Sequence, residues 1–255
     1  MVSKQIVFIS FLAFIFLSFS GVSQTEKELY EQGLKYKKQV NNKKMLVTFK
    51  KLVDMNPNNA EYLANLSFAF SKVGANLEDE AVKLKYYAKA KKLAEKAKQL
   101  DDNNALAHYA YALALARENE NASSKDKIAN AKEIKVECER ALALNPKEAG
   151  AYHIMGRWHR TFAGFGKAKT AMVNAFYGGK PEGGTYAYAI SNFKEAIKLE
   201  PWYMMHTYQL AVTYHEMGKD DLAKEYVLKA MKLPQTYEDA KKCYKECEAL
   251  LQELN

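Results

Sequence analysis

The sequence predicts an all-α fold, a right-handed α-solenoid of about five helix–turn–helix units with an inserted helix in the fourth and a C-terminal capping helix. Three observations carry that expectation. Four segments repeat one theme, an apolar helical pattern halted by a polar turn and followed by a new helix: LVDMNPNNAEY, AKQLDDNNALA, ALALNPKEAGA and AIKLEPWYMMH. Pro57, Pro146 and Pro201 stand in these turns, with Asp102 in that place in the second segment; proline cannot continue the preceding helix and suits the first turn of the next. Small and large apolar residues also recur at helical spacing, so helices approach at the small positions and fill the space opposite with the large ones. No unit buries its apolar face alone, and stacking makes the core.

These segments resemble tetratricopeptide repeats (TPR), a family in which a large residue, Leu, Gly and Tyr mark the first helix and Ala, an aromatic, Ala and Pro mark the second. The first unit, about 26–59, supplies Leu29, Gly33, Tyr36, Phe49 and Pro57, with Met45 and Leu52 in the alanine slots. The second, 60–104, has Leu63, Leu66, Phe70, Ala90, Ala94 and Ala97. In the third, 105–148, Tyr111, Ala112, Leu115, Ala141 and Pro146 fit, and Cys138 takes the aromatic slot. The fourth, 149–203, has Tyr152, Met155, Gly156, Ala189, Phe193, Ala196 and Pro201. It also holds an insertion, Thr161 to Thr185, helical around Ala168 to Tyr177, against which Trp158 and Phe162 are expected to pack. The fifth, 204–236, has Leu210, Ala211, Tyr214, Gly218, Ala223, Val227 and Ala230, and 237–254 reads as the cap. Residues 24–255 thus read as one repeat domain. At Gly156, Leu is expected to overpack a helix contact and Ala to be mild.

A narrower resemblance lies in YHIMGRW, AFYGGKP, TYAYAISNFKEAIKLEP and GKDDLAKEYVLKAMKLP. This stretch is similar to the regulator of microtubule dynamics family, whose TPR-like domain carries an insertion in the same repeat. The resemblance implies the fold. The cytoskeletal role in the family name conflicts with the reading of the N-terminus, MVSKQIVFISFLAFIFLSFSGVSQ. There, Lys4, the apolar run Ile6 to Phe19 and the small residues Gly21 and Ser23 follow the pattern of a cleavable secretory signal over 1–23. The run is shorter than the roughly 20 residues that span a bilayer. The expectation is an exported protein, periplasmic or extracellular, that meets a membrane only through the signal before cleavage.

The formal charge of +8 comes from 38 basic and 30 acidic residues that are interleaved, with no polybasic run, which argues against a nucleic-acid partner. The three cysteines have no zinc-site spacing. Cys243 and Cys247 lie four apart on a helix, with Cβ atoms about 5–6 Å apart, beyond the roughly 3.5–4.5 Å of a disulfide. Three free thiols are expected.

The densest chemistry is YHIMGRWHR, residues 152–160. On a helix it divides in two: Tyr152, Met155, Gly156 and His159 form the packing stripe, and His153, Arg157 and Arg160 a polar one. His153 and His159 point in different directions, His108 and His206 stand alone, and His215-Glu216 lacks the second histidine of a zinc motif. No nucleophile elbow or phosphate loop occurs; AGFGKAKT has neither the spacing nor the strand of one. Neither catalytic residues, a metal nor a cofactor is expected.

First helices of such repeats line a concave surface. The resemblance places Tyr30, Leu34, Lys37 and Lys38 there from the first unit, and Ala64, Phe68 and Lys72 from the second. The third gives Tyr109, Leu113 and Arg117; the fourth, His153, Arg157 and Arg160; the fifth, Tyr208, Val212 and His215. An aromatic and apolar band then runs beside a basic one, with Lys37, Lys72, Arg117 and Arg160 closing successive helices. The expected function is a non-enzymatic interaction scaffold that binds an extended, acidic peptide or protein partner; the alternative is a carrier or sensor of a lipid or other amphiphile in the same groove. The carboxylate clamp of chaperone-binding relatives is not present, since Tyr30 and Leu34 occupy its places.

Overall fold

The computed structural model describes residues 25–254, all helix and turn. The first described helix, α1, covers residues 25–38 and pairs with α2 (Asn42–Met55). Next come α3 (Ala60–Gly74) with α4 (Glu80–Leu100), and α5 (Ala105–Glu118) with α6 (Ser124–Leu144). The fourth unit is α7 (Ala149–Ala163) and α9 (Tyr186–Leu199), with α8 (Lys167–Phe176) inserted between them. The fifth is α10 (Met204–Glu216) with α11 (Asp220–Met231), and α12 (Glu238–Glu253) follows. The whole is an α-solenoid. The expected signal segment lies outside the described residues. No described helix is long and apolar enough to cross a membrane.

Pro57, Pro146 and Pro201 lie in the turns, each two residues ahead of the N-cap rather than in the first turn of the next helix. Asn41, Asn59, Asp79, Asn104, Ser123 and Thr185 each accept a backbone N–H of the helix they open, satisfying donors that a helix start leaves bare. The second and third units exceed the usual repeat length because α4 and α6 run to 21 residues each.

Small residues meet large ones between helices. A Cβ on Gly33 would lie 2.8 Å from the Phe49 ring, and one on Gly156 2.7 Å from Phe193. Phe193 is fully buried, so it has no room to retreat. The expectation that Gly156→Ala is mild is therefore corrected: even one methyl group intrudes on a fixed ring. Trp158 and Phe162 are buried in one cluster with Val173 of α8, and the Trp158 indole donates to the Ala131 carbonyl at 2.8 Å. All three cysteines are free and buried.

α12 covers the fifth unit through Ala240, Cys243, Cys247 and Leu250, but it does more than cap. Asp239 reaches across to α3. It accepts from Lys72 at 2.5 Å, from Asn76 at 2.9 Å and from the Tyr203 hydroxyl at 3.0 Å. Lys43 pairs with Glu238 nearby. The array therefore curls until its last helix touches its second unit, and the concave surface becomes a walled groove.

Candidate functional site

The groove encloses about 660 Å³, and its lining comes mainly from α1, α3, α5, α7, α10 and α12, with Asn42 of α2, Lys83 and Tyr87 of α4 and Leu199 of α9. Among the residues placed on the concave surface from sequence, Leu34, Lys37, Phe68 and Lys72 line it from the first two units. Tyr109, Leu113 and Arg117 do so from α5, and His153 and Arg157 from α7. Of the other seven, Lys38 also lines the groove and six lie elsewhere, Ala64 buried in the core and Val212 packed beneath α12 among them. Tyr30 packs on Phe49 and Tyr62 and donates to Glu61 at 3.1 Å, inside the α1–α3 contact. Arg160 is held by Glu216 at 3.2 Å and by the Gln209 carbonyl at 3.1 Å. Tyr208 packs in the cluster beneath α12. His215 faces Asp220 at 2.8 Å across the turn to α11.

The expected continuous basic band breaks up on this geometry. Lys72 is taken by Asp239 and Tyr203, Arg160 by Glu216, and Lys37 lies over the Phe68 ring and donates to Asn65. Arg117 pairs with Glu120 at 3.0 Å. Burial works against its charge, but Glu120 outweighs burial and holds its pKa above the ordinary value. Arg157 differs. Among the described residues no hydrogen bond or ion pair holds its guanidinium. It is exposed in the groove; loss of hydration there, with Arg117 and Arg160 nearby, lowers its pKa against the opposing pull of Glu120 and Glu246.

Several lining residues carry no signal in the sequence. Tyr203, Asp239, Glu148, Glu200 and Glu246 come from turns or from the cap, where repeat spacing assigns no inward position. His206, isolated in the sequence, sits with its Nδ1 2.9 Å from that of His153, while its Nε2 meets Glu200 at 3.1 Å. Burial lowers both histidines, and each lies near cations. A proton on His206 Nε2, donated to Glu200, leaves its Nδ1 to accept from His153, which accounts for both contacts with neutral rings. His108 is elsewhere, buried against Glu137 at 2.6 Å. Among the described residues no group of three or more His, Cys, Asp or Glu is arranged to hold a metal.

A second cavity, about 510 Å³, lies under the inserted helix. Ile128, Ile134, Trp158, Phe162 and Val173 give it apolar walls, and it shares Leu113, Arg117, His153 and Arg157 with the groove.

The fold and groove define the class as a TPR-like α-solenoid. Solved structures agree on the fold: a thermophilic TPR protein of Thermus thermophilus superposes with a TM-score of 0.61 at 16% identity, over 88% of this chain and 99% of that one. Pseudomonas aeruginosa pilF superposes at 0.52 and 15% identity, over 92% of this chain and 90% of that one. The family follows from the sequence match over residues 22–255: the chain belongs to the regulator of microtubule dynamics protein 1-3 family. It is 31% identical over 190 residues to regulator of microtubule dynamics protein 1 of Pongo abelii, covering 74% of this chain and 60% of the relative. It is 27% identical over 181 residues to protein 3 of Xenopus laevis, covering 70% and 39%. The chain thus spans about three fifths, or less, of the length of these curated relatives. This membership corrects the expectation of export to a periplasm or extracellular space. The relatives are named as regulators of microtubule dynamics, and microtubules are intracellular filaments.

Proposed function

We propose that the chain is a non-enzymatic scaffold whose concave groove binds an extended segment of a protein partner. The observation that carries this is the groove itself: one volume lined by first helices of all five units, with the Phe68 and Tyr109 rings tilted at 44° with centroids 5.9 Å apart, and with Arg157, which has no ion pair among the described residues. Aromatic rings and arginines are the residue types that dominate binding energy at interfaces, and an unpaired cation favours an acidic partner. The names of the relatives make cytoskeletal proteins the first partners to test. A peptide-display screen against the folded chain, repeated with Phe68→Ala, is the experiment. Sequences enriched by the parent and lost with Phe68→Ala support the groove; equal enrichment by both puts binding elsewhere.

The alternative, a carrier or sensor of a lipid or other amphiphile, draws its support from the second cavity. Its apolar walls adjoin the groove at Arg117 and Arg157, so an apolar chain and a polar head would find adjacent sites. Co-purified lipid, extracted and identified by mass spectrometry, would favour that reading over the first.

A further inference from the structure

On the groove lining, the Nε of Arg117 on α5 and the hydroxyl of Tyr87 on α4 are buried donors without acceptors among the described residues, and the exposed guanidinium of Arg157 on α7 lies in the same lining. The inference they carry rests on the groove reading above. Three of the chain's four arginines lie on these two helices. Arg160 is spent on Glu216 and Gln209. Arg117 gives one terminal nitrogen to Glu120, but its buried Nε meets no acceptor among the described residues. The guanidinium of Arg157, exposed to solvent, has no hydrogen bond or ion pair among them. Beside Arg117 stands Tyr87, 1% exposed, whose hydroxyl is likewise without a partner. Burial pushes the Tyr87 hydroxyl up to about 12, while the positive charge of Arg117 pulls the other way, which marks the two as neighbours. Arg157 in turn feels Arg117 and Glu120. All of these residues line the one groove.

This arrangement is costly as it stands. Buried donors without acceptors forfeit the hydrogen bonds they would have with water. Two guanidiniums near one another repel; Glu120 is hydrogen-bonded to Arg117, while Glu120 and Glu246 act on Arg157 through space without an ion pair. A single anionic oxygen group between the two guanidiniums would supply acceptors to Arg117 Nε, to Arg157 and to the Tyr87 hydroxyl. Planar guanidinium forks match carboxylate and phosphate oxygens in shape as well as in charge. The groove's own acids do not fill this role. Glu148 belongs to a separate cluster with Lys37, Glu200 and Glu61, and Glu246 feels Arg157 and Lys242 but makes no ion pair with Arg157 and is pushed up by burial.

We propose that Arg117, Arg157 and Tyr87 form a subsite for one anionic oxygen group, a carboxylate or a phosphate, of the ligand that occupies the groove. The subsite fixes where along the groove the charged end of that ligand lies, and replaces the basic stripe expected from sequence with a single anchoring point.

The test is a titration of the folded chain, its arginine Nε–Hε signals followed by NMR at constant ionic strength. The probes are inorganic phosphate and, separately, N-acetylglutamate, with chloride as the reference salt. The Arg117 and Arg157 signals, assigned from Arg117→Lys and Arg157→Lys, should shift saturably with at least one probe, while Arg140 stays still. A response to phosphate alone identifies a phosphoryl ligand, and a response to N-acetylglutamate a carboxylate. Arg157→Gln should weaken that probe at least tenfold, with an unchanged circular dichroism spectrum confirming the fold. Absence of a saturable shift with both probes, or a parallel shift of Arg140, overturns the subsite. Because peptide enrichment through Phe68 is read separately, a flat titration with that enrichment intact overturns the subsite and leaves the groove reading standing.

Discussion

Replacing Asp239 with Asn should release the last helix from the second unit while keeping the shape of the side chain. Burial works to raise the Asp239 carboxyl, but the Lys72 charge and hydrogen bonds from Asn76, Lys72 and Tyr203 outweigh it and hold the pKa at about 2, against an ordinary 3.8. At 1.36 kcal/mol per pH unit of difference, the ionised group contributes about 2 kcal/mol at neutral pH. Both partners are mostly shielded from solvent, with side chains 12% and 13% exposed, so screening removes little of this. The sign follows from linkage. The folded pKa is depressed, so the contribution is fully present above 3.8, falls to about half near pH 3, and is lost as pH drops through 2. Urea unfolding of parent and Asp239→Asn at pH 7 should differ by about 2 kcal/mol, and the gap should narrow from pH 4 downward. Hydrogen exchange at pH 7 should show faster opening of α12 than of α5 and α6 in the variant, because stacked repeats can open from one end. A gap that persists undiminished at pH 2.5, or α12 exchange equal to that of the parent, would refute the reasoning.

Two other outcomes follow from the packing and the histidine pair. Gly156→Leu should destabilise by about 1–3 kcal/mol or more through overpacking on Phe193, and Gly156→Ala should also lower the melting temperature; parent-like melting of Gly156→Leu would mean that α7 and α9 do not approach as described. His153 and His206 are held below the ordinary histidine pKa by burial, so the unfolded chain takes up protons first and stability should fall as pH drops through about 6.5. The double variant His153→Gln, His206→Gln should lose part of that slope between pH 7 and 5 in equilibrium unfolding, and an identical slope in both proteins counts against a neutral pair.

The sequence by itself determined the helices, their pairing into repeats and the place of the insertion, because these depend on neighbours in the chain. The side chains of Asn59, Asn104 and Ser123 cap the helices they open, and Gly156 and Phe193 occupy repeat positions whose partner is set by periodicity. It also placed most of the groove's first-helix residues, since an inward position recurs every unit. Only the tertiary structure decided what those residues are free to do. Lys72 and Arg160 read as exposed cations in sequence, but curvature brings Asp239 and Glu216 to them from helices far along the chain. The same curvature sets His206 against His153 and leaves the Arg157 guanidinium with no ion pair among the described residues. Charge pairing acts through space over a few ångströms, and no local pattern records which distant residue arrives there. The superhelical curl is a sum of small rotations at every helix contact, fixed by the packing of the whole array.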